Sequence, residues 1–199
     1  MDLSVILGHP RPDSFCHALA VAAASSAAAA GHRLRFHDLQ AEGFDPVLPA
    51  GEEPAGATLP PGVEIHCREI ALADGIVVVH PDWWGMPPAI LTGWIDRVLR
   101  PGIAYEFLEG DSGEGAPRGL LRARSAVVLN TSNTHPEREA RVFGDPLERI
   151  WRDCVFGLCG VPRVIRRTFA VVVTSTLAQR RAWLQEVRDL VATEFPRER

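Results

Sequence analysis

Four consecutive β-branched residues, Ile-Val-Val-Val at positions 76–79, constrain the fold of this chain more than any other feature. A strand with no polar face belongs in a parallel sheet whose two faces are both covered. The next segment supplies one cover, because residues 88–99 repeat apolar side chains at helical spacing. Pro87 and Pro88 suit the entry of that helix, and Gly102 suits its end. We therefore expect a strand, a loop and a helix at the centre of an α/β domain.

The loop between this strand and helix, HPDWWGM at residues 80–86, is the first place to look for a ligand. In open α/β sheets, ligands bind outside the carboxyl ends of the strands, and this loop leaves such an end. Trp83 and Trp84 are adjacent indoles between a proline and a glycine, so we do not expect both to be buried. They predict a wall for a flat aromatic ligand. The alternative is a pair of core anchors or a dimer contact.

A similar unit opens the chain. Residues 3–7 form a short apolar strand, and an alanine-rich helix is predicted over residues 15–30, ended by Gly31. The free N–H groups and the dipole at such a helix start form an anion site, to which Ser14 adds a hydroxyl group. A phosphate is the natural guest, and plain helix capping by Asp13 or Ser14 is the alternative.

The rest of the chain continues the alternation of strands and helices. Strands are predicted at residues 33–37, 126–129 and 169–173, and helices at residues 64–73, 143–159 and 177–195. The acidic loop at residues 109–119 has G-x-x-G-x-G spacing, but it follows no strand and is no nucleotide motif. The pattern predicts one domain over residues 1–199, with a five-stranded parallel sheet in a three-layer α/β/α architecture.

Small polar side chains leave the carboxyl end of the strand predicted at residues 126–129. They are Asn130, Thr131, Ser132 and Asn133. Such residues allow close backbone approach and supply donors, which suits the edge of a heteroaromatic ring system. A simple polar turn is the alternative.

Composition excludes several classes of protein. A net charge of −4 gives no reason to expect a nucleic-acid partner. No apolar run approaches the ~20 residues of a membrane span and no basic n-region opens the chain, so we expect a cytoplasmic protein without direct membrane insertion. The cysteines form no CxxC pair and no zinc-like spacing with histidines, so no metal site is predicted. They are Cys16, Cys67, Cys154 and Cys159.

The run PDWWGMPPAILTGWIDRVLRPGIAYEF at residues 81–107 resembles the flavin-binding signature of the NAD(P)H:quinone oxidoreductases, the DT-diaphorase-like family of flavodoxin-fold enzymes. HPRPDSFCHALA at residues 9–20 is similar to the first phosphate loop of that family. The resemblance implies a flavodoxin-like fold with strand order 2-1-3-4-5, a bound flavin, hydride transfer and a homodimer. It also implies that the proline-rich excursion at residues 41–62 contributes to the subunit interface, so we interpret this excursion as structured by a partner.

The resemblance also implies three groups of flavin-binding residues. They are His9, Ser14, Phe15 and Cys16 at the phosphate, Pro81, Asp82, Trp83, Trp84 and Gly85 under the ring, and Asn130, Thr131, Ser132 and Asn133 at the pyrimidine edge. Cys16 stands where many relatives have Asn. Ser132 and Asn133 replace two glycines of the family loop, which alters the clearance over the ring.

Two residues receive candidate catalytic roles by the same resemblance. Tyr105 matches an aromatic position that borders the active site across the dimer, and a packing role is the alternative. Eukaryotic relatives follow the third loop with a Tyr and a His that support hydride transfer, whereas this chain offers His135 in a shortened segment. His135 either polarises a substrate carbonyl or lies in solvent, and as a lone loop histidine it favours solvent.

The resemblance therefore implies a flavin-dependent oxidoreductase that transfers two electrons from NADPH or NADH to a quinone or similar acceptor by a ping-pong mechanism. FMN is the expected flavin and FAD the alternative. A regulatory flavoprotein subunit of a glutathione-gated potassium efflux system is the alternative function. A one-electron flavodoxin is disfavoured, because those carriers are typically smaller and far more acidic.

Overall fold

The computed structural model describes residues 1–108, 110 and 114–197, so part of the acidic loop that was discounted as a nucleotide motif lies outside the described residues. Strands and helices alternate along the chain. In order they are β1 (Asp2–Leu7), α1 (Phe15–Ala29), β2 (Arg33–Asp38), α2 (Pro61–Leu72), β3 (Gly75–Pro81), α3 (Ala89–Val98), β4 (Tyr105–Glu106), β5 (Arg118–Gly119), β6 (Ser125–Ser132), α4 (Pro136–Arg138), α5 (Pro146–Arg149), β7 (Val164–Ala170) and α6 (Leu177–Glu194). Two π-helical segments, Glu139–Phe143 and Ile150–Gly157, continue α4 and α5.

The main sheet has the order β2-β1-β3-β6-β7, and all four pairings are parallel. This confirms the predicted fold class and the strand order 2-1-3-4-5. The fourth and fifth strands of that order are β6 and β7, because β4 and β5 form a separate antiparallel ribbon. The carboxyl ends of β1, β3 and β6 lie side by side at one edge of the sheet.

The central strand β3 is buried on both faces, as its sequence predicts. Ile76 and Val78 belong to the core under α2, α3 and the segment that continues α5, whereas Val77 and Val79 belong to the core under α1 and α6. Burying each such side chain contributes roughly 1.5–3 kcal/mol. The four residues that first indicated the fold thus tie its three layers together.

The position predicted for the last strand, residues 169–173, is wrong. The strand spans Val164–Ala170, so only its last two residues fall within the prediction. The centre of β7 carries Arg166 and Arg167, whose charges hide the strand pattern. Arg166 forms ion pairs with Asp145 and Glu148, and Arg167 pairs with Glu186. The two arginines interrupt the apolar pattern by which a strand is predicted, but β7 tolerates them because it is a half-buried outer strand.

The continuous helix predicted at residues 143–159 is interrupted. Gly144 and Asp145 both have positive φ, at 74° and 48°, and α5 begins only at Pro146. A residue before proline is disfavoured in the α conformation, so the helix cannot continue across this point. Phe143 consequently lies in the preceding π-helical segment, where its ring is exposed and borders the cavity described below.

The excursion at residues 41–62 is held by its own chain. Arg97 of α3 donates from Nε and Nη2 to the two carboxylate oxygens of Glu52 at 3.0 and 2.7 Å. Arg100 donates from Nη2 to the carbonyl oxygens of Glu52 and Pro54. All three side chains are buried. This clamp, formed by Glu52, Arg97 of α3 and Arg100 just after α3, holds the excursion through contacts within the chain.

No helix within residues 1–108 and 114–197 is both long and apolar enough to cross a membrane.

Candidate functional site

The loops after β1, β3 and β6 surround a cavity of about 550 Å³ at the carboxyl edge of the sheet. Every residue predicted to bind the flavin except Asn130 lines this cavity. Further lining residues that sequence reasoning missed are Arg11, Thr134, Glu139, Phe143, Pro146 and Val172. Arg11 could have been predicted to line the site, because it is a charged residue inside the motif that is similar to a phosphate loop. Glu139 had no such signal, because its position depends on the π-helical segment.

One end of the cavity is built to receive an anion. Ser14 caps α1 by accepting the His17 N–H at 3.1 Å, so its hydroxyl hydrogen is left to donate. The first-turn amides of Phe15 and Cys16 have no partner within the helix. The helix dipole adds to their attraction for negative charge. Capping and anion binding are therefore compatible at Ser14, and these donors suit a phosphate group.

His9 borders the same end. Its Nδ1 accepts the Arg11 N–H at 3.1 Å, which leaves the opposite ring nitrogen as the protonated one. Burial lowers the pKa of His9, so the imidazole is neutral at physiological pH. The His9 ring lies 5.8 Å from the Trp83 ring, centroid to centroid. His9 thus connects the anion end of the cavity with the indole that follows β3.

Cys16 joins the first loop to the third. Its Sγ lies 3.1 Å from Oγ1 of Thr131, and either group can donate. Burial raises the pKa of this thiol to about 12, so it stays protonated and unreactive. At the position where many relatives are expected to have an asparagine, this chain therefore has a buried thiol that holds two binding loops together.

Neither tryptophan of the second loop is a core anchor. Trp83 is 44% exposed and Trp84 is 96% exposed. Trp84 has a φ of 61°, and Gly85 follows with a φ of 71° while its N–H donates to Asp82 Oδ1 at 3.0 Å. A bulky residue in the left-handed region costs of order 1–3 kcal/mol and occurs where a site requires it. This turn holds the Trp84 ring out in solvent, beside the cavity.

The third loop is closed by its own side chains. Ser132 Oγ accepts the Thr134 N–H at 3.0 Å, and Asn133 Oδ1 accepts the Val173 N–H at 2.9 Å. The carbonyl oxygen of Thr131 accepts the Asp82 N–H at 2.7 Å, which ties this loop to the second. The side chains that replace the family glycines thus act as internal braces of the loop.

Asn130 does not face the cavity, which corrects the prediction for this residue. Its side chain is fully buried, and its Nδ2 donates to His80 Nε2 at 2.8 Å. The same nitrogen of His80 accepts the Trp151 indole N–H at 2.8 Å, while His80 Nδ1 donates to the Pro81 carbonyl oxygen. Burial lowers the pKa of His80 to about 4, so it is neutral. Asn130 therefore supports the sheet edge beneath the cavity.

Neither candidate catalytic residue lines the cavity. Tyr105 is half-buried on β4, where it packs against the core and lies 5.8 Å from the Phe107 ring. His135 is exposed immediately before α4. A role for Tyr105 in this chain's own cavity has no geometric support, and the position of His135 agrees with the solvent alternative. Their catalytic roles stay predictions.

A second polar cluster lies beyond β2. Candidate metal-ligating atoms of His37, Glu42 and His66 lie within 4.8 Å of one another. However, Trp94 donates its indole N–H to His66 Nδ1 at 3.1 Å, so the proton of a neutral His66 is on Nε2, the atom facing Glu42. A metal at Nε2 would conflict with that buried indole contact. The cluster is therefore best described as a hydrogen-bonded network between β2, the excursion and α2.

Comparisons with known proteins agree with this geometry. The model of a family described as having a flavodoxin-like fold matches residues 1–191. An uncharacterized NAD(P)H oxidoreductase of Haemophilus influenzae is 30% identical over 172 residues, which cover 82% of this chain and 81% of that protein. A ribosyldihydronicotinamide dehydrogenase [quinone] of Pongo abelii is 27% identical over 167 residues, covering 74% of this chain and 71% of that protein.

Solved structures agree as well. The NAD(P)H:quinone oxidoreductase from Methanothermobacter marburgensis has a TM-score of 0.81 and 26% identity, covering 100% of this chain and 99% of that chain. An FMN-dependent NADH-azoreductase from Bacillus anthracis, solved in complex with FMN, has a TM-score of 0.73, covers 97% of this chain and 98% of that chain, and at 14% identity shares the fold alone. The chain therefore belongs to the flavodoxin-like family, as a relative of its NAD(P)H oxidoreductases.

Proposed function

We propose that this protein is a flavin-dependent NAD(P)H:quinone oxidoreductase that uses FMN and transfers two electrons as a hydride. The observation that carries the proposal is the meeting of three loops in one cavity, with anion donors at one end and an indole along its wall. The named relatives are nicotinamide-dependent oxidoreductases, and one structural neighbour holds FMN. The regulatory alternative gains no support from them.

The residues present fit FMN. The Ser14 hydroxyl and the amides of Phe15 and Cys16 would hold the phosphate group, with Arg11 as the cationic side chain of the cavity lining. Trp83 would lie along the ring system, and the braced third loop would face the pyrimidine edge. The flavin, when bound, supplies the hydride chemistry, whereas the protein supplies binding, orientation and fixed donors.

Nicotinamide and quinone would occupy the same space in turn. Trp83 and Trp84 line the cavity with partly or fully exposed indoles, so a flat ring could stack there. An indole offers a flat apolar surface to either ring, and it selects by shape rather than by hydrogen bonds. A shared pocket requires the first product to leave before the acceptor binds, which is a ping-pong mechanism.

We also propose a homodimer. Trp84 and Phe143 line the cavity with exposed apolar side chains, and Met86, two residues after Trp84, is exposed as well. Clustered exposed apolar side chains mark interaction sites. The resemblance implies that Tyr105 of such a second copy would border the cavity. Sedimentation analysis of the wild type and of Trp84→Ser tests this, because the variant is expected to dissociate more readily.

The central experiment is spectroscopic. Purified protein is incubated with FMN, freed of excess flavin, and treated anaerobically with NADPH or NADH and then with a benzoquinone. Retained yellow absorbance that bleaches with the nicotinamide and recovers with the quinone is the expected result. Failure to retain FMN, or bleaching without recovery, contradicts the proposed function.

A further inference from the structure

Quinone reduction needs a proton that the nicotinamide does not supply. A reduced nicotinamide gives up a hydride, that is, two electrons and one proton. A quinone becomes a hydroquinone by gaining two electrons and two protons, so one further proton must come from an acid. Neither Tyr105 nor His135, the two candidate catalytic residues of this chain, lines the cavity.

Few groups lining the cavity can give a proton. Its titratable side chains are those of His9, Arg11, Cys16, Asp82 and Glu139. The pKa of His9 is lowered by burial, and the pKa of Cys16 is raised to about 12, so neither is an effective acid at neutral pH. A guanidinium group does not release its proton under these conditions. Among the side chains that this chain itself contributes, two carboxyl groups therefore remain.

Asp82 and Glu139 lie in the wall between two cavities. Both line the main cavity and also a smaller one of about 190 Å³, whose lining includes Asp145 and Arg166. Asp82 uses Oδ1 to accept the Gly85 N–H. The Glu139 carboxyl makes no hydrogen bond or ion pair with any described residue, so it is free to face a ligand on one side and water on the other.

The surroundings keep these carboxyl groups protonated at higher pH than usual. Burial raises the pKa of Asp82. The pKa of Glu139 is raised by burial first, and then by the nearby charges of Asp82 and Asp145, with Arg166 opposing. A carboxylic acid whose pKa lies closer to the operating pH is a better proton donor.

We propose that Glu139 is the proton donor to the quinone, with Asp82 as its positioning partner. This inference rests on the proposed function. In the step, the O–H bond of the Glu139 carboxyl group breaks and a new O–H bond forms on one quinone oxygen, while the hydride that originates from the reduced nicotinamide supplies the electron pair and the second hydrogen of the hydroquinone. The resulting carboxylate recovers a proton from water in the smaller cavity.

The test separates the two half-reactions in Glu139→Gln. Stopped-flow absorbance follows reduction of the bound flavin by NADPH and then its reoxidation by a benzoquinone. The first half-reaction consumes no acid and is expected to keep its rate, whereas reoxidation is expected to slow about 100-fold, the ordinary contribution of general acid catalysis. Glu137→Gln, two residues away and exposed, is the matched control.

Two readouts distinguish proton donation from a structural role. The FMN dissociation constant, measured by fluorescence quenching, is expected to be unchanged in Glu139→Gln. In the ¹³C-labelled full-length protein without flavin, the Glu139 carboxyl is expected to titrate above an ordinary glutamate. Asp82→Asn is expected to lower that titration and to move the pH profile of reoxidation to lower pH, because a neighbouring negative charge is removed.

Each of the following outcomes would contradict either the proton-donor role of Glu139 or the proposed function. Wild-type reoxidation rates in Glu139→Gln overturn the inference and leave the proposed function intact. Equal slowing of both half-reactions, or a weakened FMN affinity, also overturns it, since either indicates a structural role. A wild-type protein that neither retains FMN nor reduces a quinone contradicts the proposed function itself, before any variant is compared.

Discussion

The cavity loops and the excursion are both irregular segments, but they differ in how completely their polar groups are hydrogen-bonded within the protein. In the excursion, the clamp of Glu52, Arg97 and Arg100 pairs its charges with one another and with carbonyl oxygens, and it is buried. At the cavity, the Ser14 hydroxyl, the first-turn amides of α1 and the Glu139 carboxyl have donors or acceptors left over. Satisfied polar groups stabilise a fold, whereas unsatisfied groups beside an open cavity indicate binding.

The largest effect is expected at the clamp. Glu52→Ala leaves the buried guanidinium of Arg97 without its carboxylate, and removing one partner of a buried pair costs about 3–5 kcal/mol of unfolding free energy. Urea unfolding measures it. The exposed neighbour gives the control, Glu53→Ala, with an expected change within about 0.5 kcal/mol. FMN affinity should not change, because the clamp does not line the cavity, and a parallel loss of affinity would abolish the distinction between the two regions.

The satisfied network beneath the cavity predicts a pH dependence of stability. The pKa of His80 is lowered from 6.5 to about 4. Between these values the unfolded chain binds a proton that the folded chain does not, so the free energy of unfolding falls as pH falls, by about 3 kcal/mol in total from this residue. Urea unfolding from pH 7 to pH 4 measures the slope.

His66 adds to the same slope, because its pKa is also lowered to about 4 by burial. His80→Gln should therefore reduce the slope without removing it. His135→Gln, which alters an exposed ring outside both networks, serves as the comparison. An unaltered slope in His80→Gln would contradict the assignment of a neutral buried imidazole.

At the cavity, a charge change should affect binding without affecting stability. Ser14→Asp places a carboxylate against the phosphate group, and loss of one charge-assisted hydrogen bond of about 1.5–3 kcal/mol weakens FMN binding roughly 10- to 100-fold. Aspartate caps helices as well as serine does, so the unfolding free energy should stay the same. Riboflavin has no phosphate and is the matched ligand control, whose affinity is expected to be preserved. Equal losses for both flavins would refute the anion site.

The smallest expected effect is a difference in how fast local opening exposes the buried thiols beside the cavity and beside the clamp. Cys16 lies in the cavity and Cys67 beside the clamp, and both thiols are buried, whereas Cys154 is exposed. A thiol reagent at pH 8 should label Cys154 first, then Cys16, and Cys67 last. FMN should protect Cys16 and leave the Cys67 rate as it was. Peptide mass spectrometry gives the three rates, and FMN protection of Cys67 would show that the two regions open together.

Local patterns predicted most of the elements and the place of the cavity. Residues 76–79 and the helix after them could be predicted because each keeps one hydrophobic pattern without interruption. The three binding loops could be placed because each follows a buried strand. The fold class then brought those loops together. The phosphate and ring segments follow the same logic, since their residues are adjacent in the chain and share one strand end.

The remaining features depend on contacts between distant residues. The buried amide of Asn130 was unpredictable because His80 lies 50 residues away along the chain. The position of β7 was mispredicted because Arg166 and Arg167 interrupt its apolar pattern. Their ion-pair partners Asp145 and Glu186 belong to other parts of the fold. Glu139 lines the cavity from a π-helical segment, whose wider turn is not predicted by the α-helical period of 3.6 residues. The clamp of the excursion could not be predicted either, because it depends on contacts between the excursion and residues in and just after α3.

The two arginines of β7 have a wider consequence. β7 forms one outer strand of the sheet and β2 forms the other, and each carries two arginines, Arg33 and Arg35 on β2 and Arg166 and Arg167 on β7. Charged side chains on outer strands discourage another chain from adding a strand of its own. The sheet therefore cannot readily grow by edge-to-edge pairing, which disfavours fibrillar association and leaves helices and loops as the surfaces for any contact between copies.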